Sequence, residues 1–437
     1  MSNIFRPLLH LAIFLLWLAR SVSGQGLPIA APEEVGLSSE RLERIGTVMQ
    51  KYVDENQLAG AVIMVARHGK AAYLETFGTM DIDEKKPMRT DTIFRIASMS
   101  KAITSTAVMM LYEEGHFLLS DPISKYIPEF KNAQVLVPES PGDASSLPYS
   151  LVPAHRDITI RHLLNHTSGL TYQWNQYLGE IYFNAGITHG LIQDKSTIGE
   201  KVKILADLPL LHHPGEAYEY SLSIDVLGYL VEVVSGMTLD EFFQERLFKP
   251  LGMKDTFFFI PEEKLSRLSA VYHPDQEGGI KRLPETPVGD APFVYSASYP
   301  YQGPRSYFSG GGGLCSTISD YARFCQMMLN GGELDGVRLL SRKTVELMTT
   351  NSIGDLYIDN RFLGDKFGLG FGIRTERGRY DELESIGTYM WGGFWNTLFW
   401  IDPQEELICI IMSQLYPNDG NEGLNIFRVL ASQAIID

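Results

Sequence analysis

Two apolar segments far apart in the chain constrain the fold most. Near the start, AGAVIMVA (59–66) and AAYLETFG (71–78) flank RHGK, which reads as a β-hairpin. Near the end, NTLFWID (396–402) and LICIIMSQ (407–414) flank PQEE in the same way, and FGLGFGIRT (367–375) reads as a further strand. Between them the periodicity is helical. SKAITSTAVMMLYEEG (100–115), TIRHLLNH (159–166), IGEKVKILADL (198–208), SIDVLGYLVEVVSG (223–236) and TLDEFFQERLF (238–248) all carry it. Ser38 and Ser39 can cap an earlier helix over 38–55, and NEGLNIFRVLASQAII (421–436) closes the chain. Strands at both ends with helices between predict an α+β fold, an α/β sandwich. An antiparallel sheet flanked by helices is built from both termini, around an inserted all-helical domain. The expected boundaries are 27–95 and 303–437 for the sheet domain and 96–302 for the mainly helical one.

Residues 1–24 are set aside from the fold. Arg6 precedes an apolar run from Leu8 to Ala19, and Val22 and Gly24 stand at the −3 and −1 positions of a cleavage before Gln25. This reads as a secretory signal peptide and predicts a secreted or periplasmic protein. The alternative is an uncleaved anchor helix, for which the run is short. Fifty-three acidic against 37 basic residues give a formal charge of −16, which argues against nucleic acid or an anionic membrane as partner. Three cysteines (Cys315, Cys325, Cys409) exclude a disulfide framework and a four-thiolate metal site. Cys325, inside DYARFCQMML, reads as a small core hydrophobe.

The first chemical candidate is Ser98-Met99-Ser100-Lys101, after the strand-like TIFRIA and at the start of an apolar helix. A Ser and a Lys three positions apart on a helix share a face. The helix end favours negative charge developing near the Ser oxygen. A Ser hydroxyl needs a neighbour to accept its proton, and a buried Lys can serve. The bland alternative is an N-capping Ser and a surface Lys. No G-x-S-x-G elbow occurs, which counts against the α/β-hydrolase fold.

Tyr220, after HHPGEAYE and before a helix, is placed at the mouth of a cleft and can exchange a proton there. A Tyr that only packs its ring is the alternative. Trp391-Gly392-Gly393-Phe394 precedes the strand NTLFWID; paired Gly allow close approach, and a free N–H can form half of an oxyanion hole. A simple turn is the alternative there.

In this order, Ser98-x-x-Lys101, Tyr220-Ser221-Leu222 and Trp391-Gly392-Gly393 resemble the motifs of the penicillin-recognising serine hydrolases. That superfamily includes class C β-lactamases, D-Ala-D-Ala peptidases and family VIII carboxylesterases. FRIASMSK, ITIRHLLNHTSGL, HHPGEAYEYSLSIDVLGYLVEVVSG and FSGGGGLCSTISDYARFC add to the likeness, which spans nearly the whole chain after the leader. The resemblance implies a site in the cleft between a sheet domain and a helical domain. Ser98 would be the acylated nucleophile, with Lys101 and Tyr220 moving its proton. The N–H groups of Ser98 and Phe394 would form the oxyanion hole. No metal or organic cofactor is implied.

The departures from the β-lactamase pattern point to the substrate. Class C enzymes carry Y-x-N and K-T-G, whereas this chain has Leu222 in place of the Asn and Trp391-Gly392-Gly393 in place of K-T-G. An amide and a carboxylate-binding cation are lost, and Leu222, Trp391, Gly392 and Gly393 are read as an apolar pocket wall. The combination is similar to family VIII esterases, so the expected partner is a small-molecule ester. A β-lactamase, a D-Ala-D-Ala carboxypeptidase, an acyltransferase and a catalytically inactive envelope protein are the other readings. His212 and His213 read as loop residues, since adjacent His need a third ligand to hold a metal. The Asn165-His166-Thr167 sequon is expected to be buried near the cleft.

Overall fold

The computed structural model describes residues 26–139, 149–358, 364–378, 382–418 and 422–437; the leader lies outside them. The helix expected after Ser38 runs over Ser39–Asp54 (α1), and the Ser38 hydroxyl accepts the Arg41 N–H at 3.3 Å. The first hairpin follows as β1 (Gly60–Arg67) and β2 (Lys70–Asp81), with β3 (Lys86–Pro87) at its edge. The other end of the chain supplies β4 (Lys366–Phe367), β5 (Gly372–Ile373), β6 (Tyr389–Gly393), β7 (Thr397–Asp402) and β8 (Leu407–Met412). The sheet order is β4-β5-β6-β7-β8-β1-β2-β3, and every pair is antiparallel. The two ends of the chain meet where β8 lies beside β1, with Met64 opposite Ile410.

β1 is buried throughout and apolar from Gly60 to Ala66 because both of its faces are covered. Ala61, Ile63 and Val65 join Trp400, Cys409 and Ile411 under α1 and the last helix (Gly423–Ser432). Val62, Met64 and Ala66 join Phe399, Ile408 and Ile410 on the opposite face. There they meet helix α2 (Ser100–Glu113) and the helix Ile318–Leu329. α2 is buried at every position from Ser100 to Leu111, so it runs through the core rather than over it. All three cysteines are buried free thiols, and Cys325 is in the core as read.

The expected fold class is the observed one, with two local differences. FGLGFGIRT is not one strand. The chain turns between Phe367 and Gly372, where the Gly370 N–H donates to the Leu164 carbonyl, leaving two-residue strands on either side. The middle of the chain also contains two small antiparallel ribbons, Gln134–Pro138 with Tyr149–Pro153 and Tyr272–Pro274 with Ile280–Arg282. Among the described residues no helix is long and apolar enough to cross a membrane.

The segment leading to Ser98 is tied down by a short ladder and one buried cation. Phe94 and Arg95 pair with Ser316 and Cys315, and the Ile96 N–H donates to Leu314 O. Arg95 is 2% exposed; Nε donates to Ala297 O at 2.7 Å and Nη1 to Ser269 O at 2.8 Å. Its backbone N–H donates to Gln414 Oε1, just beyond β8. Arg95→Met keeps the stem but strands two buried carbonyls. We expect it to lower unfolding stability in urea by about 2–5 kcal/mol.

Candidate active site

Ser98 sits in the 3₁₀ turn Ala97–Met99 that feeds directly into α2. Ala97 holds φ +40°, a backbone setting that costs a non-glycine residue about 1–2 kcal/mol. The turn is held in place because Ile96 and Ser100 are both bonded to Leu314. Ser98 is half-buried, with its hydroxyl 3.3 Å from Lys101 Nζ.

Lys101 is 1% exposed, so its ammonium must be satisfied internally. An ammonium has three N–H donors. They go to Ser98 Oγ at 3.3 Å, Tyr172 Oη at 2.9 Å and Gly311 O at 2.7 Å. None of these partners is a carboxylate. The glycine at 311 is required by space, since a Cβ there would stand 2.6 Å from Asp225 Oδ2. Asp225 accepts from the Ser309 hydroxyl at 2.7 Å and so braces the loop that presents the Gly311 carbonyl. Burial pushes the Tyr172 phenol well above its usual range, with Tyr220 and Asp225 adding to the shift, so Tyr172 stays neutral.

Tyr220 lies against this ammonium, with its ring centroid 4.6 Å from Lys101 Nζ. Its hydroxyl accepts the Trp391 indole N–H at 3.1 Å. The residue read as part of an apolar wall therefore also donates a hydrogen bond to the candidate proton carrier. Under the Tyr220 ring, at 4.8 Å, is the His166 imidazole. Burial, and then the Lys101 charge, hold His166 well below its usual range, so it is neutral. Its Nδ1 accepts the Ser221 N–H at 3.2 Å, which leaves the proton on Nε2.

The third motif ends β6. Gly393 packs against the turn before Ser98: a Cβ on it would lie 2.4 Å from the Ile96 carbonyl and 2.2 Å from Thr397 Oγ1. This contact sets the Gly393–Phe394 backbone beside the nucleophile turn. Gly392 and Gly393 are half-buried. Leu222 is 1% exposed, packed in the main core immediately before the helix Ser223–Ser235.

Sequence reasoning missed Tyr172, the Gly311 carbonyl and His166. The signal was present, since HTSGL and FSGGGG are both in the stretches that carry the resemblance, but neither spacing shows which atom reaches Lys101. The sequon amide is committed elsewhere, with Asn165 3% exposed and its Nδ2 donating to Ser352 O at 3.0 Å. His213 has neighbours that its sequence context did not show. Its ring stacks on His155 at 3.5 Å, and Glu216 Oε1 lies 3.3 Å from His155 Nδ1. The ring planes are 12° apart, and one ligand atom from each of His155, His213 and Glu216 lies within 4.8 Å of the others, so the fold gives His213 the further ligands that the sequence reading lacked.

A serine hydroxyl bonded to a buried lysine at the start of a core helix, beside the end of a sheet strand, is the arrangement of a serine hydrolase. The Beta-lactamase family profile matches residues 45–433, and the chain belongs to that family. It is 35% identical over 381 residues to an uncharacterised Mycobacterium tuberculosis protein, covering 85% of this chain and 89% of the relative. Esterase EstB of Burkholderia gladioli is 29% identical over 390 residues, covering 87% of this chain and 91% of EstB. The solved structure of EstCE1, described as a hydrolase with promiscuous acyltransferase activity, is similar with a TM-score of 0.77 at 27% identity. That match covers 90% of this chain and 99% of EstCE1.

Two substitutions test the geometry. Gly393→Ala must displace β6 from Ile96, and a shift of this kind is expected to lower kcat about 100-fold. Circular dichroism should confirm the fold. Trp391→Phe keeps the ring but removes the N–H from Tyr220. It is expected to lower kcat about three- to tenfold, the value of one neutral hydrogen bond, as read in steady-state ester hydrolysis.

Proposed function

We propose that this chain is an exported serine carboxylesterase acting through an acyl-enzyme on Ser98. The observation that carries the reading is the 3.3 Å contact between Ser98 Oγ and the buried Lys101 Nζ. In the proposed cycle Lys101 Nζ, when neutral, accepts the Ser98 proton as Oγ attacks the ester carbonyl. The Ser98 and Phe394 N–H groups bind the oxyanion. Tyr220 passes its phenolic proton to the departing alcohol and takes back the one held on Lys101, so both groups return to their starting states as the acyl-enzyme forms. Water then attacks the acyl carbonyl, giving a proton to the neutral Lys101, and that proton returns to Ser98 Oγ as the acid leaves, which regenerates Ser98. Tyr172 and Gly311 hold Lys101 in register through bonds of 2.9 and 2.7 Å.

Esters are favoured over β-lactams and D-Ala-D-Ala peptides by the third motif. A lysine there would meet a substrate carboxylate, whereas Trp391 offers a neutral N–H that is already engaged with Tyr220. The relative EstB, named an esterase, supports the reading. Acyl transfer to an added alcohol is the second reading, favoured by the activity stated for EstCE1. The leader over 1–24 would deliver the enzyme to the periplasm or the medium.

The purified protein should hydrolyse p-nitrophenyl acetate and butyrate faster than nitrocefin or a D-Ala-D-Ala peptide; the reverse order would overturn the ester reading. Ser98→Ala should abolish turnover and labelling by a fluorophosphonate. Lys101→Met should reduce kcat by about 10²–10⁴, the usual loss on removing a general base.

A further inference from the structure

A cleft of about 410 Å³ lies next to the candidate active site and takes no part in the chemistry above. One wall is the ribbon Gln134–Pro138 and Tyr149–Pro153, which contributes Leu136, Pro138 and Tyr149. Leu136 and Pro138 alternate onto one face of the ribbon, and their cross-strand partners are Leu151 and Tyr149. The other wall is made by Trp174 and Phe293.

These two rings connect the cleft to both sides of the reacting centre. Trp174 stacks on Tyr172 with centroids 4.2 Å apart and planes 23° apart, and Tyr172 Oη accepts from Lys101 Nζ at 2.9 Å. Phe293 meets the Trp174 ring edge-on at 5.3 Å and the Phe394 ring at 5.8 Å. A group in the cleft is thus two rings away from Lys101 on one side, through Trp174 and Tyr172, and two rings away from the Phe394 backbone on the other, through Phe293 and the Phe394 ring. Trp174 is 49% exposed despite its size, so much of the residue is left uncovered. An aromatic pair set at 74° offers a flat face and an edge, which suits a planar ring better than a flexible chain.

The cleft also holds a polar group with an unmet bond. Gln173 lines it and is only 1% exposed. Its Nε2 donates to Ile187 O at 2.9 Å, which sets the amide orientation, and its Oε1 has no hydrogen-bond partner.

We infer that this cleft is a substrate subsite for the ring-bearing, apolar part of the ester, gripped by Trp174 and Phe293. The inference rests on the esterase reading and narrows it to esters of aromatic or fused-ring groups. The ring can stand on the alcohol or on the acyl side of the ester.

The test uses the full chain and three esters: ethyl acetate without a ring, 2-naphthyl acetate with the ring on the alcohol, and ethyl 2-naphthylacetate with the ring on the acyl group. The readout is kcat/KM for each ring ester divided by that for ethyl acetate. Trp174→Ala and Phe293→Ala should each lower this ratio at least tenfold in one arm, which identifies the side. Trp174→Phe should restore most of it. In parallel, binding of 2-naphthyl acetate to the Ser98→Ala protein should weaken at least tenfold when Trp174→Ala is added. If esters turn over but the ratios and the binding are unchanged by Trp174→Ala and Phe293→Ala, the subsite is overturned. If ring ligands bind in a Trp174-dependent way but no ester is hydrolysed, the esterase reading fails and the cleft assignment stands.

Discussion

The site depends on one buried ammonium. Lys101 is withdrawn from water by a helix that is buried on every side from Ser100 to Leu111, and none of its three hydrogen-bond partners is a carboxylate. Its three donors must therefore find neutral oxygens in fixed places, because each unmet donor in the interior would be costly. Satisfying it brings together Ser98 from the turn that leads into the same helix, Tyr172 from the loop after the helix Ile160–Leu164, and Gly311 from the glycine run before the helix Ile318–Leu329. The sheet and its flanking helices are the frame that holds these three segments at bonding distance.

The neighbours of Lys101 are also mostly uncharged. Tyr172 is kept a neutral phenol and His166 a neutral imidazole by burial. Trp391 presents an indole N–H to Tyr220 where a lysine is expected in the β-lactamase pattern. A site of this kind sets Lys101 among neutral dipoles, with the buried Asp225 carboxyl behind the Gly311 loop. That suits an uncharged ester, and it keeps the protonation of Ser98 tied to a single basic group.

Much of this was legible along the chain. The hairpin at 59–78, its counterpart at 396–414 and the helices between them came from periodicity, since covering a sheet on both faces leaves an apolar run that has no other use. Ser98, Lys101 and Tyr220 came from motif order. The break inside FGLGFGIRT was not legible, because it answers to the Leu164 carbonyl, far off in sequence. The role of Trp391 was half legible: its apolar character was evident, but the direction of its N–H was not. Leu222 was read as a pocket residue from its place beside Tyr220, while the fold packs it in the main core.

The sequence alone determined the fold class, the pairing of the two chain ends in one sheet, and the identity of the serine and lysine. These follow from local patterns and from one helical turn, which a linear code can express. Only the tertiary structure decided what satisfies Lys101 and what Tyr220 bonds to. Tyr172 is 71 residues from Lys101, Gly311 is 210 away, and Trp391 is 171 from Tyr220. Hydrogen bonds across such distances are set by packing geometry at the scale of a few tenths of an ångström, and nothing in the spacing of letters carries that information.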